Sequence, residues 1–147
     1  MIQIKKLEFA DTFLIERQAQ QDENVNANII KFCINNGDGV AIAKDGKILA
    51  CVWWHCAWAN MLSVSALISA SAGKDMFALV KVLKKMVSAR KEDRLECIVK
   101  NSFKNAHKLM RILGFTVEGI MRKYIDGKNY ALYAKVSDDN DEDFMNF

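Results

Sequence analysis

No proline occurs anywhere in this chain of 147 residues, and glycine only seven times. With no Pro-rich or Gly/Ser-rich stretch there is no candidate linker, and no internal repeat divides the sequence. One domain is expected, and a hydrophobic content of 51% is enough to bury a substantial core. No apolar run approaches the roughly 20 residues that cross a bilayer, so no membrane partner is expected. The opening Met1-Ile2-Gln3-Ile4-Lys5-Lys6 lacks the apolar stretch of a secretory signal, and a soluble, cytoplasmic protein is expected. The four cysteines (Cys33, Cys51, Cys56 and Cys97) include no Cys-x-x-Cys pair, which excludes the usual metal knuckle. The rest of the chain has no sign of a secreted scaffold, so they are expected to be reduced and mostly buried, and no metal site is expected.

Charge is unevenly distributed. Five of the 18 acids lie within Asp138-Asp139-Asn140-Asp141-Glu142-Asp143, leaving 13 acids against 21 Lys and Arg, a body charge near +8. Residues 137–147 are therefore expected to form an acidic, mobile tail behind a domain of residues 1–136. The span Lys74 to Arg111 holds eleven bases and four acids. Such a half suits an anionic ligand or partner, or simply a set of solvated helix faces. No recognised nucleic-acid motif accompanies it, so a nucleic-acid partner is not expected.

Periodicity orders the elements. Ile2 to Leu7 alternates weakly as a strand. Helices are expected from Ala10-Asp11 to about Gln21 and over Asn26 to Asn35, the second ended by Asn35-Asn36-Gly37-Asp38-Gly39. Val40–Ala43 and Lys47–Trp54 flank the hairpin signal Lys44-Asp45-Gly46, and Met61–Ser69 is a strand of small and apolar residues. A helix opening at Gly73-Lys74-Asp75 buries Met76, Leu79, Val80, Leu83, Met86 and Val87 and wets Lys81, Lys84, Lys85 and Ser88. After the strand Leu95–Val99, Phe103, Ala106, Leu109, Met110 and Leu113 recur at helical spacing. Gly114 stops that helix, since glycine alone takes the left-handed cap cheaply. Two strands parted by Asp126-Gly127 close the chain.

The ending Leu113-Gly114-Phe115, the two strands after it and the order of elements before it resemble the GNAT (Gcn5-related N-acetyltransferase) family over residues 1 to 136. The string Leu113-Gly114-Phe115-x-x-Glu118-Gly119-x-Met121-Arg122-x-Tyr124, with Asp126-Gly127-x-x-Tyr130, is similar to GNAT-like proteins of tailed phages and prophages. The resemblance implies an α/β (α+β) fold, a mixed and mostly antiparallel sheet of about seven strands flanked by about four helices. The strands Met61–Ser69 and Leu95–Val99 would splay there around acetyl-coenzyme A. It also implies a bacterial host, phage-infected or lysogenic.

The same resemblance implies the site. Pyrophosphate would rest on amides at the start of the helix after the fourth strand, a natural anion site. Here that places Ser69, Ser71, Gly73, Lys74, Asp75 and Met76, with Lys104 and Lys108 reaching the more distant phosphate. The family pattern Gln/Arg-x-x-Gly-x-Gly/Ala is not reproduced. The fourth strand lacks the usual glutamate, which leaves His55 and Glu118 as candidate bases. Glu118 reads more readily as a structural partner to a base on the neighbouring strand, and His55 as a packed side chain. The family's proton-donating tyrosine on the last helix falls at Met110, leaving Tyr124, Tyr130 and Tyr133 on the closing strands, of which Tyr124 is the candidate. His107 on the last helix is expected to be solvated, with the cleft rim as its other reading. Trp53, Trp54 and Trp58 cluster around His55 and are expected to be core, with a pocket or a protein contact as the other reading. Two functions follow: an acetyl-coenzyme A-dependent N-acetyltransferase acting on an amine of a small molecule or protein, or a catalytically degenerate GNAT-fold phage or prophage protein with a structural, packaging-associated or host-interaction role.

Overall fold

The computed structural model describes residues 1–19, 21 and 27–137. The acidic segment from Asp138 onward therefore lies outside the described residues. In chain order the elements are β1 (Ile2–Lys6), α1 (Asp11–Leu14), α2 (Ala27–Asn35), β2 (Gly39–Lys44), β3 (Lys47–Trp58) and β4 (Met61–Ile68). A 3-10 turn at Gly73–Asp75 leads into α3 (Met76–Ser88), followed by β5 (Arg94–Lys100), α4 (Lys104–Ile112), β6 (Thr116–Ile125) and β7 (Lys128–Val136). The seven strands form one sheet in the order β1-β2-β3-β4-β5-β7-β6. Only the β4–β5 pairing is parallel; the others are antiparallel. This is the mixed, mostly antiparallel sheet with four helices that the sequence leads one to expect.

Two cores form, one on each face. Ala50, Val52, Leu62 and Leu95 of the sheet pack with Leu79 and Leu83 of α3 and Met110 and Leu113 of α4. Cys51, Trp53 and Leu67 pack on the other face with Ile15 and with Ile30 and Cys33 of α2. The alternation along β3 sends Val52 to one core and Cys51 and Trp53 to the other, as a strand's period of two requires.

The first helix is shorter than its pattern suggested. It stops at Leu14, and Ile15 turns to extended backbone at ψ 136°. Tertiary bonds capture the segment that follows: the Ala70 amide donates to the Glu16 carbonyl at 2.8 Å and Gln18 Nε2 to the Ile68 carbonyl at 3.1 Å. Buried Ile15 is gained for the second core, which outweighs a further stretch of weak helix.

The helix α4 ends as its glycine requires. Gly114 sits at φ +90°, and the Phe115 amide reaches back to the Met110 carbonyl at 2.9 Å. All four cysteines are free: Cys33 and Cys51 are buried, Cys97 is half-buried and Cys56 is exposed.

Candidate functional site

The sheet opens at one place. β4 and β5 are joined by Met61↔Arg94, Leu62↔Leu95 and Ser63↔Glu96 only. Beyond that rung Val64–Ile68 stays paired to β3, and Cys97–Lys100 to β7, but the two segments are not paired with each other. A cavity of about 360 Å³ fills the gap. It reaches both faces: Phe103, Leu109 and Met110 line it on the α4 side, and Trp53, Ile98 and Tyr130 on the other. Small side chains on β4, Ser65 and Ala66, leave the strand's backbone accessible there.

The loop leaving β4 folds back on itself. The buried Ser69 hydroxyl accepts the Ser71 amide at 3.1 Å and lies 3.0 Å from the Ser71 hydroxyl. The Ser69 carbonyl accepts the Ala72 amide at 3.2 Å, and the Ala72 carbonyl accepts the Asp75 amide at 2.7 Å. Among the described residues no group accepts the amides of Gly73 and Lys74, so the turn into α3 presents two free donors. A Cβ added at Gly73 would meet nothing within 4 Å, so the chain is uncrowded at that residue.

Asp75 turns its carboxylate sideways onto Lys44 Nζ at 2.7 Å. The hydrogen bond from Lys44, backed by its charge and those of Lys74 and Lys47, holds that carboxyl below the usual carboxylate range. The acid next to the two amides is thus neutralised from β2. Lys74, Lys104 and Lys108 are exposed, and Met76 lines the cavity.

The three candidate catalytic residues are not brought together. His55 is half-buried opposite Ser63, whose other neighbour is Glu96. This row is the last rung before the strands part, two residues along from Trp53 and Ser65 in the cleft. Glu118 accepts both Arg94 Nη1 at 3.1 Å and Nη2 at 2.6 Å, while Arg94 Nε donates to Glu96 at 2.8 Å. The Arg94 bonds hold the Glu118 carboxyl below its ordinary range, which makes it a poorer proton acceptor. Its base partner stands on β5, with β7 between. Tyr124 is 54% exposed, and its ring lies 6.1 Å from that of Tyr130, the tyrosine that lines the cleft.

Other aromatic and polar groups depart from their patterns. Trp53 belongs to the core and the cleft at once. Trp54 is half-buried under the Arg90 guanidinium at 5.5 Å, and Trp58 is 74% exposed rather than core. His107 is half-buried rather than solvated. Its Nε2 lies 3.0 Å from the Asn101 carbonyl and its Nδ1 2.6 Å from the Tyr133 hydroxyl. A carbonyl only accepts, so Nε2 carries the proton and Nδ1 receives that of Tyr133 in the neutral ring. Burial pushes the Cys97 thiol, beside the cleft, up to about 12, so it stays protonated at neutral pH.

The Arg94 bridge makes stability depend on pH. A carboxyl whose folded pKa is lowered stabilises the fold above its unfolded pKa, and that contribution is lost as pH falls through the folded value. Urea unfolding of the wild type should therefore weaken below about pH 4.3, the ordinary glutamate value. Glu118→Gln should show a shallower decline over the same window, and an unchanged decline would mean the pair is inert. The effect is expected to be small, because the pair is largely in solvent.

No protein-family model matches the chain, and no curated protein matches it in sequence. Solved structures do match. The ribosomal-protein-S18-alanine N-acetyltransferase from Escherichia coli is 20% identical with a TM-score of 0.70, over 92% of this chain and 94% of that one. A spermidine N-acetyltransferase SpeG chimera from Vibrio cholerae and hSSAT is 13% identical at 0.68, over 92% and 95%. The phosphinothricin acetyltransferase from Sinorhizobium meliloti, solved with AcCoA, is 13% identical at 0.63, over 92% and 88%. The chain has the fold of the GNAT superfamily acetyltransferases.

Sequence reasoning missed most of the cleft lining. Ser65, Ile98 and Tyr130 stand there because β4 and β5 diverge, and divergence between distant strands leaves no local periodic signal; for Trp53 a pocket is the alternative to the core, and it serves both. The parting of these two strands is expected from the family resemblance alone, and the ladder's end at Ser63↔Glu96 agrees with it.

Proposed function

We propose that this protein is an N-acetyltransferase that takes its acetyl group from acetyl-coenzyme A and delivers it to an amine. The observation that carries the reading is the β4–β5 gap, an apolar cleft whose lining includes Ile68 and Met76, the residues before and after the loop that bears the free amides of Gly73 and Lys74. Bound acetyl-coenzyme A would supply the activated thioester. The exposed β4 backbone would hold the pantetheine arm between the strands. Gly73 and Lys74 amides, with the Lys74 ammonium, would hold the pyrophosphate, and Lys104 and Lys108 the outer phosphate. Ser69 and Ser71 brace that loop, and Met76 closes the cleft beneath it.

The chain's part in the chemistry is to align amine and carbonyl, polarise the carbonyl with strand amides and carry away one proton. His55, two residues along β3 from the cleft-lining Trp53, would take that proton through water. Glu118 is held by Arg94 and Tyr124 faces solvent, so Ser65 and Tyr130 are the hydroxyls that line the cleft. The matched structures name acceptors as different as a ribosomal-protein alanine, spermidine and phosphinothricin, so the fold alone does not choose the amine.

A second reading keeps the fold and drops the chemistry: a phage or prophage protein with a structural or host-interaction role. The observation favouring it is Met110, which fills the cleft where the family reading wants a proton donor.

Thermal unfolding with and without acetyl-coenzyme A separates the two, because a ligand selective for the folded state must raise the melting temperature. Lys74→Glu should weaken calorimetric binding at least about tenfold, about 1.4 kcal/mol, with little change in unliganded melting. Equal affinities would discard Lys74 as a phosphate ligand, and no binding by the wild type would favour the second reading.

A further inference from the structure

We propose that the outer face of α3, extended by α4, is a docking surface for single-stranded nucleic acid. The starting point is a missing sign of charge. The two helices carry Lys81, Lys84, Lys85, Lys104, Lys108 and Arg111 and no Asp or Glu at all. Both pack on the same face of the sheet, since Leu79, Leu83, Met110 and Leu113 share one core cluster. All six cations are exposed, and none forms an ion pair with a described residue. An ordinary solvated face mixes both signs; an unmixed one over two helices concentrates a positive field. The sequence contained these lysines without a motif. The fold adds their shared face of the sheet and, among the described residues, the absence of any ion pair to them.

An exposed aromatic ring decides which polyanion fits. Phe77 is 75% exposed on the first turn of α3. Phe77, Lys81, Lys84 and Lys85 are spaced i, i+4, i+7 and i+8, so they form one stripe opposite the buried Leu79 and Leu83. Lys81 Nζ lies 4.9 Å from the Phe77 ring centroid. An acidic peptide would satisfy the lysines but offer nothing to the ring. A single strand offers phosphates to the lysines and an unstacked base to the ring, the combination by which sequence-tolerant binders hold single strands. A duplex keeps its bases stacked inside and would use the charge alone.

The stripe on α3 is separate from the acetyl-transfer site, and the test avoids Lys104 and Lys108, which the coenzyme reading already uses. Labelled 20-mers of uridine ribonucleotide and of thymidine are titrated with the full chain, with fluorescence anisotropy read between 50 and 200 mM salt, on the order of physiological strength. Saturable binding is expected. The triple variant Lys81→Gln, Lys84→Gln, Lys85→Gln should bind at least about tenfold more weakly at the low salt, and its log K against log salt slope should shrink by about 2, from about 0.7 per phosphate contact. Phe77→Ala should weaken binding about fivefold or more by losing a stacked base. All four positions are exposed, so melting curves should confirm that the variants fold. Binding to either strand supports the proposal, and a preference between them names the source. Absence of binding up to about 100 μM, weaker than ordinary non-specific association, would overturn it. So would a triple variant indistinguishable from wild type. Displacement of the RNA by poly-glutamate at equal charge concentration would overturn it too, by reassigning the face to an acidic protein.

Discussion

Ala66→Trp should lower the affinity for acetyl-coenzyme A at least about a hundredfold, close to 2.7 kcal/mol, while leaving the fold intact. Ala66 is exposed on β4, pairs with Val52 of β3 and has no partner on β5, because the parallel ladder ends at Ser63↔Glu96. An indole there enters the cleft rather than a packed core, so overpacking strain does not arise. It fills the space between β4 and β5 that the proposed ligand's arm requires. Surface changes of this kind usually move stability by about 0.5 kcal/mol or less. The measurement is calorimetric titration beside a melting curve of the unliganded variant. Unchanged affinity with normal melting would mean that the coenzyme does not lie between these strands, and the reading of the gap would fall with it.

The sequence announced the frame better than the opening within it. Leu113-Gly114-Phe115, the apolar faces of α3 and α4 and the hairpin turns are local signals, each set by residues within one or two turns of one another. They led to the correct order of elements and a sheet in which β4 and β5 are neighbours. The failures are tertiary. Nothing within residues 15 to 19 reveals that the Ala70 amide and Ile68 carbonyl will hold them out of a helix. Nothing near Glu118 reveals that Arg94, from two strands away, will grip both its oxygens. The open space of the cleft depends on where a ladder stops, and a ladder's end is written in no single strand. The loop before α3 was legible only as a glycine-containing helix start; that its neighbouring acid is neutralised by Lys44 required the partner from β2.

Leu79→Ala should cost about 3 kcal/mol of unfolding free energy, within the usual range of 2–5 for a buried leucine. Leu79 is fully buried at 0% exposure, and with Leu83 it makes up the buried contact of α3 with the main core. Deleting its branched end removes transfer free energy and leaves a void that the rigid sheet beneath cannot close. For a domain of this size the melting temperature should fall by roughly 10 °C, and the urea m-value should hold if two-state unfolding persists. The comparison that gives the number meaning is Phe77→Ala, two residues earlier and largely exposed, which should change stability by no more than about 0.5 kcal/mol. At low temperature the Leu79→Ala protein should still bind acetyl-coenzyme A within a few-fold of wild type, because the amides of Gly73 and Lys74 precede the helix and are fixed by the Ser69–Asp75 bonds rather than by Leu79. Equal costs at positions 77 and 79 would mean that α3 is rotated from the face described, and with it the basic stripe assigned to nucleic acid. A Leu79→Ala protein that folds but has lost the coenzyme would instead place the helix core, not the loop, in charge of the phosphate site.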